Sequence, residues 1–432
     1  SSPGPISNGH RTMRINTAFP RYTGFAPAMP VWCLTPNEGR CIHRFFDTSP
    51  ISPSGRYAAV FRLPNEHHHV GAGVAGHVVL IDLENGTESV VAETFGWEPQ
   101  MGPNLNWGVD DHSLVFNDVD VSTWTPQLVH LDPLRGTEKR TTGAVYHVSP
   151  DGRYAAAANS VTMRRTQCGY GVWIPDDLVR RNVGARDDDG LFITDLQTGE
   201  RTLLLSLAKA VKCIPELDEN TLDNWEIYGF HSKWSPQGDR LIFTVRRRLV
   251  SHQTPLNDMA HLRFDVLTLR PDGTDIHNAV PADQWEKGGH HINWFPDGTK
   301  LSMNLSINRD GMRLCQVGYD GSDLQPMFDD VVGSGHPSLH PNGRHIVTDS
   351  YAQESVAFGD GTVPLRWIDR ETGREEALLR IGARTEPCED GALRVDPHPA
   401  WDRTWRYLVF NGVAGDNTRR VFLADMKPLL NR

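Results

Sequence analysis

Histidine recurs at one fixed distance from a turn in four consecutive stretches of the chain. His231, His291 and His336 each lie five residues before a turn proline, and His398 holds the equivalent place in the last stretch. Side chains at equivalent positions of repeated units converge when the repeats surround an axis. Converging neutral imidazoles are ligands for Zn, Mn or Fe, completed by a carboxylate such as Asp396 or by water. The pattern predicts a metal site formed by the four histidines, although a structural network or a sugar-binding site would show the same spacing.

A second group of reactive side chains lies on an irregular insertion, residues 164–190, which leaves the repeat pattern of its surroundings. Tyr170 and Arg186 lie on this insertion, and Tyr228 follows later in the chain. A guanidinium near a phenol lowers the phenol pKa, which suits the phenol for proton transfer. The plainer interpretation is a tyrosine packed in a loop and an arginine paired with Asp187–Asp189.

These residues are embedded in a repeated turn motif, in which proline and glycine flank a polar residue and alternating apolar residues follow. The motif and two looser copies occur at 52–64, 107–117, 149–160, 235–245, 295–305, 340–350 and 401–411. Such a turn followed by apolar alternation predicts a strand. A second hairpin follows every copy but the last, which is followed only by VFLADM.

Two hairpins per repeat predict a four-stranded blade, and seven repeats predict an all-β fold, a seven-bladed β-propeller. The short last repeat predicts that a strand around Ala28–Leu34 completes the final blade, because closure removes an exposed sheet edge. We expect one propeller domain over residues 1–432, with 1–20 as an extended N-terminal segment. The alternative is a two-sheet sandwich. The best candidate for a helix is the single turn Ala282–Glu286.

Composition excludes several classes of protein. The 432 residues carry a net charge of −11, which argues against a nucleic-acid binder. No stretch approaches the roughly 18 apolar residues of a membrane span. The six cysteines form no CxxC pair, and Cys33 and Cys41 lie close enough for a small disulfide loop. The serine-hydrolase, P-loop and zincin motifs are absent.

The blade motifs resemble those of the seven-bladed propeller polysaccharide lyases, over most of the chain. This group contains oligogalacturonate lyases, ulvan lyases and rhamnosyl-glucuronate lyases. His291 in HINWFPDG and His398 in DPHPAW resemble the metal-binding histidines of oligogalacturonate lyases. In those enzymes the last blade also carries a glutamine and a second histidine, and Leu393 and Asp396 stand at those places here.

The segment RTQCGYGV is more similar to the ulvan lyase and rhamnosyl-glucuronate lyase branch. There a tyrosine, an arginine sixteen residues later and a further tyrosine serve the active site, and Tyr170, Arg186 and Tyr228 match them. That branch also uses histidines on its second blade, where the nearest residues here are Asn104, Asn106 and Thr125.

The resemblance implies β-elimination at a uronic acid within a rhamnosyl-α-1,4-glucuronate linkage of the ulvan or gum type. Arg186 would neutralise the uronate carboxylate, Tyr170 would act as base and acid, and Tyr228 would bind the sugar or assist. The predicted substrate contacts are Asn104, Asn106, Arg246 and His43. The four histidines would hold one divalent ion (Zn, Mn or Ca), and we expect no organic cofactor.

Three other functions are open. His43, in CIHRFFDTSP, matches the single histidine of related propeller α-L-rhamnosidases, which would make the protein a glycoside hydrolase. Oligogalacturonate lyase activity is another alternative, and a non-catalytic carbohydrate-binding propeller is a third. For each, the expected partner is a poly- or oligosaccharide, containing uronic acid for the lyases. We expect neither nucleic acid nor membrane as a partner, and a secreted or periplasmic location.

Overall fold

A computed structural model describes residues 13–68, 70–251, 262–384 and 393–432. These residues fold almost entirely into short antiparallel strands, as the all-β prediction requires. Of the segment predicted to be extended, residues 1–12 lie outside the described part, and residues 13–20 have no regular secondary structure.

The strands form five separate four-stranded sheets after an initial strand, β1 (Val31–Cys33). Sheet 1 contains β2 (Cys41–Ile42), β3 (Tyr57–Arg62), β4 (Gly76–Asp82) and β5 (Thr87–Thr94). Sheet 2 contains β6 (Asn106–Trp107), β7 (Leu114–Asp120), β8 (Thr125–Asp132) and β9 (Thr137–Thr142). Sheet 3 contains β10 (His147–Val148), β11 (Tyr154–Ala157), β12 (Gly190–Asp195) and β13 (Arg201–Ser206). Sheet 4 contains β14 (Trp225–Trp234), β15 (Leu241–Leu249), β16 (Arg263–Leu269) and β17 (His277–Val280). Sheet 5 contains β18 (Gly289–Trp294), β19 (Lys300–Leu305), β20 (Arg313–Gly318) and β21 (Gln325–Pro326).

An eight-stranded closing sheet contains the remaining strands. Its first half contains β22 (Ser338–Leu339), β23 (His345–Thr348), β24 (Thr362–Asp369) and β25 (Glu375–Gly382). Its second half contains β26 (Ala400–Trp401), β27 (Tyr407–Val413), β28 (Arg419–Asp425) and β1. The halves are joined by a single residue pair, Gly382 with Val413. The predicted N-terminal closing strand is therefore confirmed, because β1 pairs antiparallel with β28.

Helices are few and short in the described residues. The α-helices are α1 (Leu207–Ala210), α2 (Ala282–Trp285) and α3 (Lys427–Leu430). Single 3-10 turns occupy Thr162–Arg165, Asp176–Leu178, Val211–Cys213 and Leu222–Asn224. The sequence predicted α2 but not the other two. None of the described helices has the length and apolar character needed to cross a bilayer.

The repeated turn motif explains why each sheet begins as it does. In the first copy the Gly55 amide donates to the Ser52 carbonyl at 2.9 Å, and the Tyr57 amide donates to Ser52 Oγ at 3.1 Å. Gly55 has a φ of +83°, which glycine adopts without strain. The seven copies lead into β3, β7, β11, β15, β19, β23 and β27.

Hydrophobic side chains fill the space between consecutive sheets, so each sheet is covered on both faces. The closing sheet buries Val31 of β1 completely, together with strand residues of its own second half. This arrangement of many separate sheets differs from the two-sheet sandwich considered from the sequence. Cys33 and Cys41 are free thiols, so the small disulfide loop is absent.

Candidate functional site

The four histidines predicted as one group all contact Phe45, which follows β2. The Phe45 ring centroid lies 5.6 Å from that of His231, 6.3 Å from His291, 5.6 Å from His336 and 4.7 Å from His398. The equivalent positions, which lie in or just before β14, β18, β22 and β26 (the innermost strands), therefore meet at one place, as the register with the turn motif predicted.

Three of these histidines pack directly on one another. The rings of His291 and His336 are stacked at 3.8 Å, and those of His336 and His398 meet edge to face at 4.4 Å. The nitrogens of His336 and His398 and a carboxylate oxygen of Asp396 all lie within 4.8 Å of one another. We call His336, Asp396 and His398 the metal trio, since two imidazoles and a carboxylate can hold a divalent ion and leave positions open for a ligand.

A buried carboxylate, Asp349, orients two members of the trio. It accepts hydrogen bonds from Nδ1 of His336 at 2.9 Å and from the backbone amides of His336 and His398 at 2.6 and 3.2 Å. Such a carboxylate fixes the tautomer of the imidazole and leaves Nε2 to a metal ion. Asp349 is fully buried, so these bonds are shielded from water.

Backbone irregularities place the histidines. His231 lies in a β-bulge of β14, and His291 lies in a β-bulge of β18 with a φ of +64°. His336 follows Gly335, whose φ is +70°, and His398 itself has a φ of +49°. Bulges and left-handed residues next to a site redirect side chains that a regular strand would point elsewhere.

One specific observation indicates that the trio fits a bound metal ion. Both ring nitrogens of His398 are buried and lack a hydrogen-bond partner. The nearest carboxylate oxygen, on Asp396, is 3.7 Å from Nε2, which is too long for a hydrogen bond. Because a buried polar atom without a partner is costly, an ion at the trio would account for this arrangement.

His231 and His291 have different surroundings. The His231 ring is stacked on Phe230 at 3.9 Å and on Tyr146 at 4.5 Å, and contacts Tyr170 at 5.3 Å. Burial holds the pKa of His231 well below its usual range, so this imidazole is neutral. His291 approaches the Gly335 carbonyl through Nδ1 at 2.6 Å, and its Nε2 lies 3.2 Å from the Tyr351 hydroxyl.

Tyr170 lies beside the metal trio, and Arg394 links the two. Arg394 Nη2 is 3.5 Å from the Tyr170 hydroxyl, and Arg394 Nε is 3.2 Å from the Asp396 carboxylate. The expected lowering of the tyrosine pKa is not found. Burial outweighs the nearby guanidinium and raises the pKa of Tyr170 to about 12, so the phenol keeps its proton at neutral pH.

Two glycines and Glu98 hold Tyr170 in place. Gly169 and Gly171 have φ values of +89° and +85°, and a Cβ on Gly171 would lie 2.8 Å from the Arg164 amide nitrogen. The Gly171 amide donates to the Glu98 carboxylate at 2.5 Å. Burial raises the pKa of Glu98 to about 7 despite this bond.

Replacing Glu98 with glutamine should change the pH dependence of stability. The folded-state pKa lies above the ordinary value of 4.5, so the stabilisation is complete below about pH 4.5 and is lost as the pH rises through about 7. We expect Glu98→Gln to be more stable than the wild type at pH 8–9 by up to about 3 kcal/mol. Denaturant unfolding from pH 5 to 9 measures this difference, with the exposed Glu93→Gln as a control. An unchanged difference across the range would contradict the expectation.

Arg186 and Tyr228 are engaged elsewhere in this structure. Arg186 lies at the rim and forms a bidentate pair with Asp188 at 2.7 and 2.8 Å. This pairing is the one that the plainer interpretation of the sequence offered, an arginine paired with Asp187–Asp189. Tyr228 is buried, and its hydroxyl donates to Glu226 at 2.7 Å. Burial, and after it this bond, raises the pKa of Tyr228 above its usual range. The structure therefore brings Arg394, and not Arg186, to Tyr170.

The predicted substrate contacts on the first two sheets are buried and hydrogen-bonded. Asn104 accepts from Arg44 Nε at 3.2 Å, and Asn106 donates to the carbonyls of Asn104 and Tyr146 at 2.9 and 3.0 Å. His43 is fully buried with Nε2 2.6 Å from the His398 carbonyl, and burial lowers its pKa to about 3. Asn104, Asn106 and His43 are therefore engaged with neighbouring protein groups in this structure.

A cavity of about 450 Å³ lies at the opposite ends of the innermost strands from the histidines. Several tryptophans and the buried ion pair of Lys233 and Asp47 line this cavity. Of the predicted site residues, only Asn106 lines it. Asn106 therefore lies at the cavity, whereas the four histidines lie at the opposite ends of these strands.

Arg246 lies close to Tyr170 in the same site. Its guanidinium carbon stacks 3.5 Å above the Phe230 ring, and Nη1 donates to Gln167 at 2.8 Å. The Phe230 and Tyr170 ring centroids are 5.4 Å apart. Burial lowers the pKa of Arg246 to about 9, which leaves the group charged at neutral pH.

Sequence reasoning missed Arg394, Asp349 and Tyr351. The sequence does contain one signal that could have identified Arg394 as a site residue, because Arg394 lies two residues before Asp396 and four before His398. Asp349 and Tyr351 follow β23, and nothing in their local pattern marks them.

Comparisons with known proteins concern the fold. No family model matches the chain, and no curated protein matches it significantly. An oligogalacturonate lyase in complex with manganese has a TM-score of 0.62 at 16% identity, with 96% of each chain covered. An oligogalacturonate lyase from Vibrio parahaemolyticus has a TM-score of 0.63 at 13% identity, with 96% of this chain and 97% of that one covered. The protein therefore shares its all-β fold of four-stranded blades with oligogalacturonate lyases.

Proposed function

We propose that the protein is a lyase that cleaves uronic-acid-containing oligosaccharides by β-elimination. The observation that carries this proposal is the chain of contacts from Tyr170 through Arg394 to Asp396 of the metal trio. It places a protonated phenol, a guanidinium and a metal-ligand set together, and these are the groups that elimination beside a carboxylate requires.

Arg394 would bind the carboxylate of the uronate. The C5 proton is weakly acidic while that carboxylate is charged, and an adjacent cation stabilises the negative charge that develops when the proton leaves. Arg394 replaces Arg186 in this role because its guanidinium lies at the site. The metal trio would hold a divalent ion, which supplies Lewis-acid stabilisation of the same developing charge when bound.

Two side chains would move the protons. We assign the C5 proton to His231, whose imidazole is neutral and contacts the Tyr170 ring. The electrons of the broken C5–H bond form the C4–C5 double bond as the C4–O bond breaks. Tyr170 donates its phenolic proton to the departing oxygen, since its raised pKa keeps the proton available. Water then returns a proton to Tyr170 and accepts one from His231.

The preferred linkage in this proposal is rhamnosyl-α-1,4-glucuronate, on the similarity of the RTQCGYGV segment. Oligogalacturonate is the second substrate to test, because two of the structural neighbours are oligogalacturonate lyases. We also propose that the two halves of the closing sheet are separate blades of a single domain. With the five separate sheets, they would form a seven-bladed ring.

A substrate panel tests the proposal. The purified protein is incubated with ulvan oligosaccharides, gum arabic glycan and oligogalacturonate, with and without added Mn²⁺. A lyase produces an unsaturated uronate with new ultraviolet absorbance. Release of rhamnose without that absorbance would indicate a hydrolase and overturn the proposal, and binding without any product would indicate a carbohydrate-binding protein.

A further inference from the structure

Buried arginines in this protein almost always face a carboxylate. Nine arginines of the described residues are buried: Arg44, Arg62, Arg164, Arg240, Arg246, Arg247, Arg248, Arg366 and Arg419. Eight of them have a carboxylate oxygen within 4.0 Å. Arg246 is the exception among the residues that the structure describes.

The surroundings of Arg246 offer no substitute for a carboxylate. One donor reaches the neutral Gln167 amide, Nε is buried without a hydrogen-bond partner, and the guanidinium face rests on Phe230. The cross-strand neighbours on either side are Tyr228 and Phe264, which are uncharged. An uncompensated buried charge is strongly destabilising, so its presence beside Tyr170 requires a reason other than stability.

We infer that Arg246 binds a second anionic group of the substrate, carried by the sugar next to the uronate that is cleaved. This inference rests on the proposed function and specifies its substrate class. Arg394 lies in the segment before β26 and reaches the Tyr170 hydroxyl, whereas Arg246 lies on β15 and stacks on Phe230, which packs on the Tyr170 ring, so each can bind its own anion. The group would be a carboxylate in contiguous uronates or a sulfate on rhamnose, and a guanidinium binds either in the same bidentate manner.

Matched substrates separate the two sources of the anion. One pair is trigalacturonate and the same trimer with the neighbouring carboxylate methyl-esterified. The other pair is a sulfated rhamnosyl-glucuronate oligosaccharide and its desulfated form. For at least one pair we expect the wild type to show about thirtyfold or greater loss of affinity and of kcat/KM when the second anion is removed.

Variants of Arg246 test the assignment. Arg246→Met should bind both members of the pair equally, and Arg246→Lys should recover part of the preference. Without ligand, Arg246→Met should keep or raise the melting temperature, whereas the paired Arg366→Met, which faces Glu375 at 2.8 Å, should lower it and keep the substrate preference. A structural role for Arg246 would instead lower the melting temperature of both variants.

Calorimetric binding keeps this test separate from catalysis. If the wild type binds the acidic probes without forming unsaturated product, the proposed elimination fails and the anion preference is still decided by affinity. Equal wild-type affinity within both pairs, retention of the preference in Arg246→Met, or no binding of any probe would each overturn the inference.

Discussion

Elimination should fall by about 10²- to 10⁴-fold in kcat when Tyr170 is replaced by phenylalanine, with little change in substrate affinity. The phenol is protonated at neutral pH because burial raises its pKa to about 12, so its role is to donate a proton to the departing oxygen. Phenylalanine fills the same space and keeps the contacts with Phe230 and His231. Steady-state kinetics by ultraviolet absorbance measure the effect.

The control for this variant is Tyr407→Phe, at a buried tyrosine of the closing sheet. Its aromatic ring packs in the core beside Val409 and Leu423, away from the residues proposed for catalysis. We expect unchanged kcat in Tyr407→Phe and nearly unchanged melting temperature in both variants. Full activity of Tyr170→Phe would remove this tyrosine from the mechanism, and an equal loss in both variants would point to an effect on folding.

Metal binding should be lost when His336 and His398 are both replaced by alanine. We expect the wild type to hold about one divalent ion per chain and the double variant to lose at least about a hundredfold in affinity, since even outer hydrogen-bond partners of ligands contribute tenfold or more. Elemental analysis and calorimetry with Mn²⁺ measure this. Chelation should also lower the wild-type melting temperature, because an ion that binds only the folded state stabilises it.

His340→Ala is the matched control for the histidine pair. His340 is partly buried and its Nε2 lies 2.9 Å from the Trp405 carbonyl, at the cavity end of the innermost strands. This variant should keep the wild-type metal content. Equal metal binding by all three proteins would show that the trio holds no ion.

The repeated turns predicted most of the fold because each turn is determined by residues that are close to one another in the sequence. In the five regular copies the proline and glycine, with a polar side chain to cap the turn, form the turn without help from distant residues. Ser52 and Gly55 illustrate this, since both contacts of the turn lie within six residues. Strand β1 was predictable for a different reason, namely the missing partner of the last repeat. Helices α1 and α3 were not predicted, and with only four residues each they carry little periodicity; α2 is equally short but was proposed as a single turn.

The site was predictable only where the repeat carried it. The five-residue offset identified four histidines, and all four contact Phe45. The sequence could not show that His231 joins the aromatic cluster of Tyr170 while His336 and His398 join Asp396, because bulges and left-handed residues decide those directions. Arg186 illustrates the opposite error. Its spacing from Tyr170 matched a known pattern, but Asp188 two residues away captures the guanidinium.

The pairing of β1 with β28 brings together strands from distant parts of the chain, in the half-sheet that follows Asp396 and His398. A half-sheet built from strands that are distant in sequence cannot be completed until both strands have emerged from the ribosome. We therefore expect the ligand set to assemble last during synthesis, so that an ion bound by it would stabilise the half-sheet that forms last.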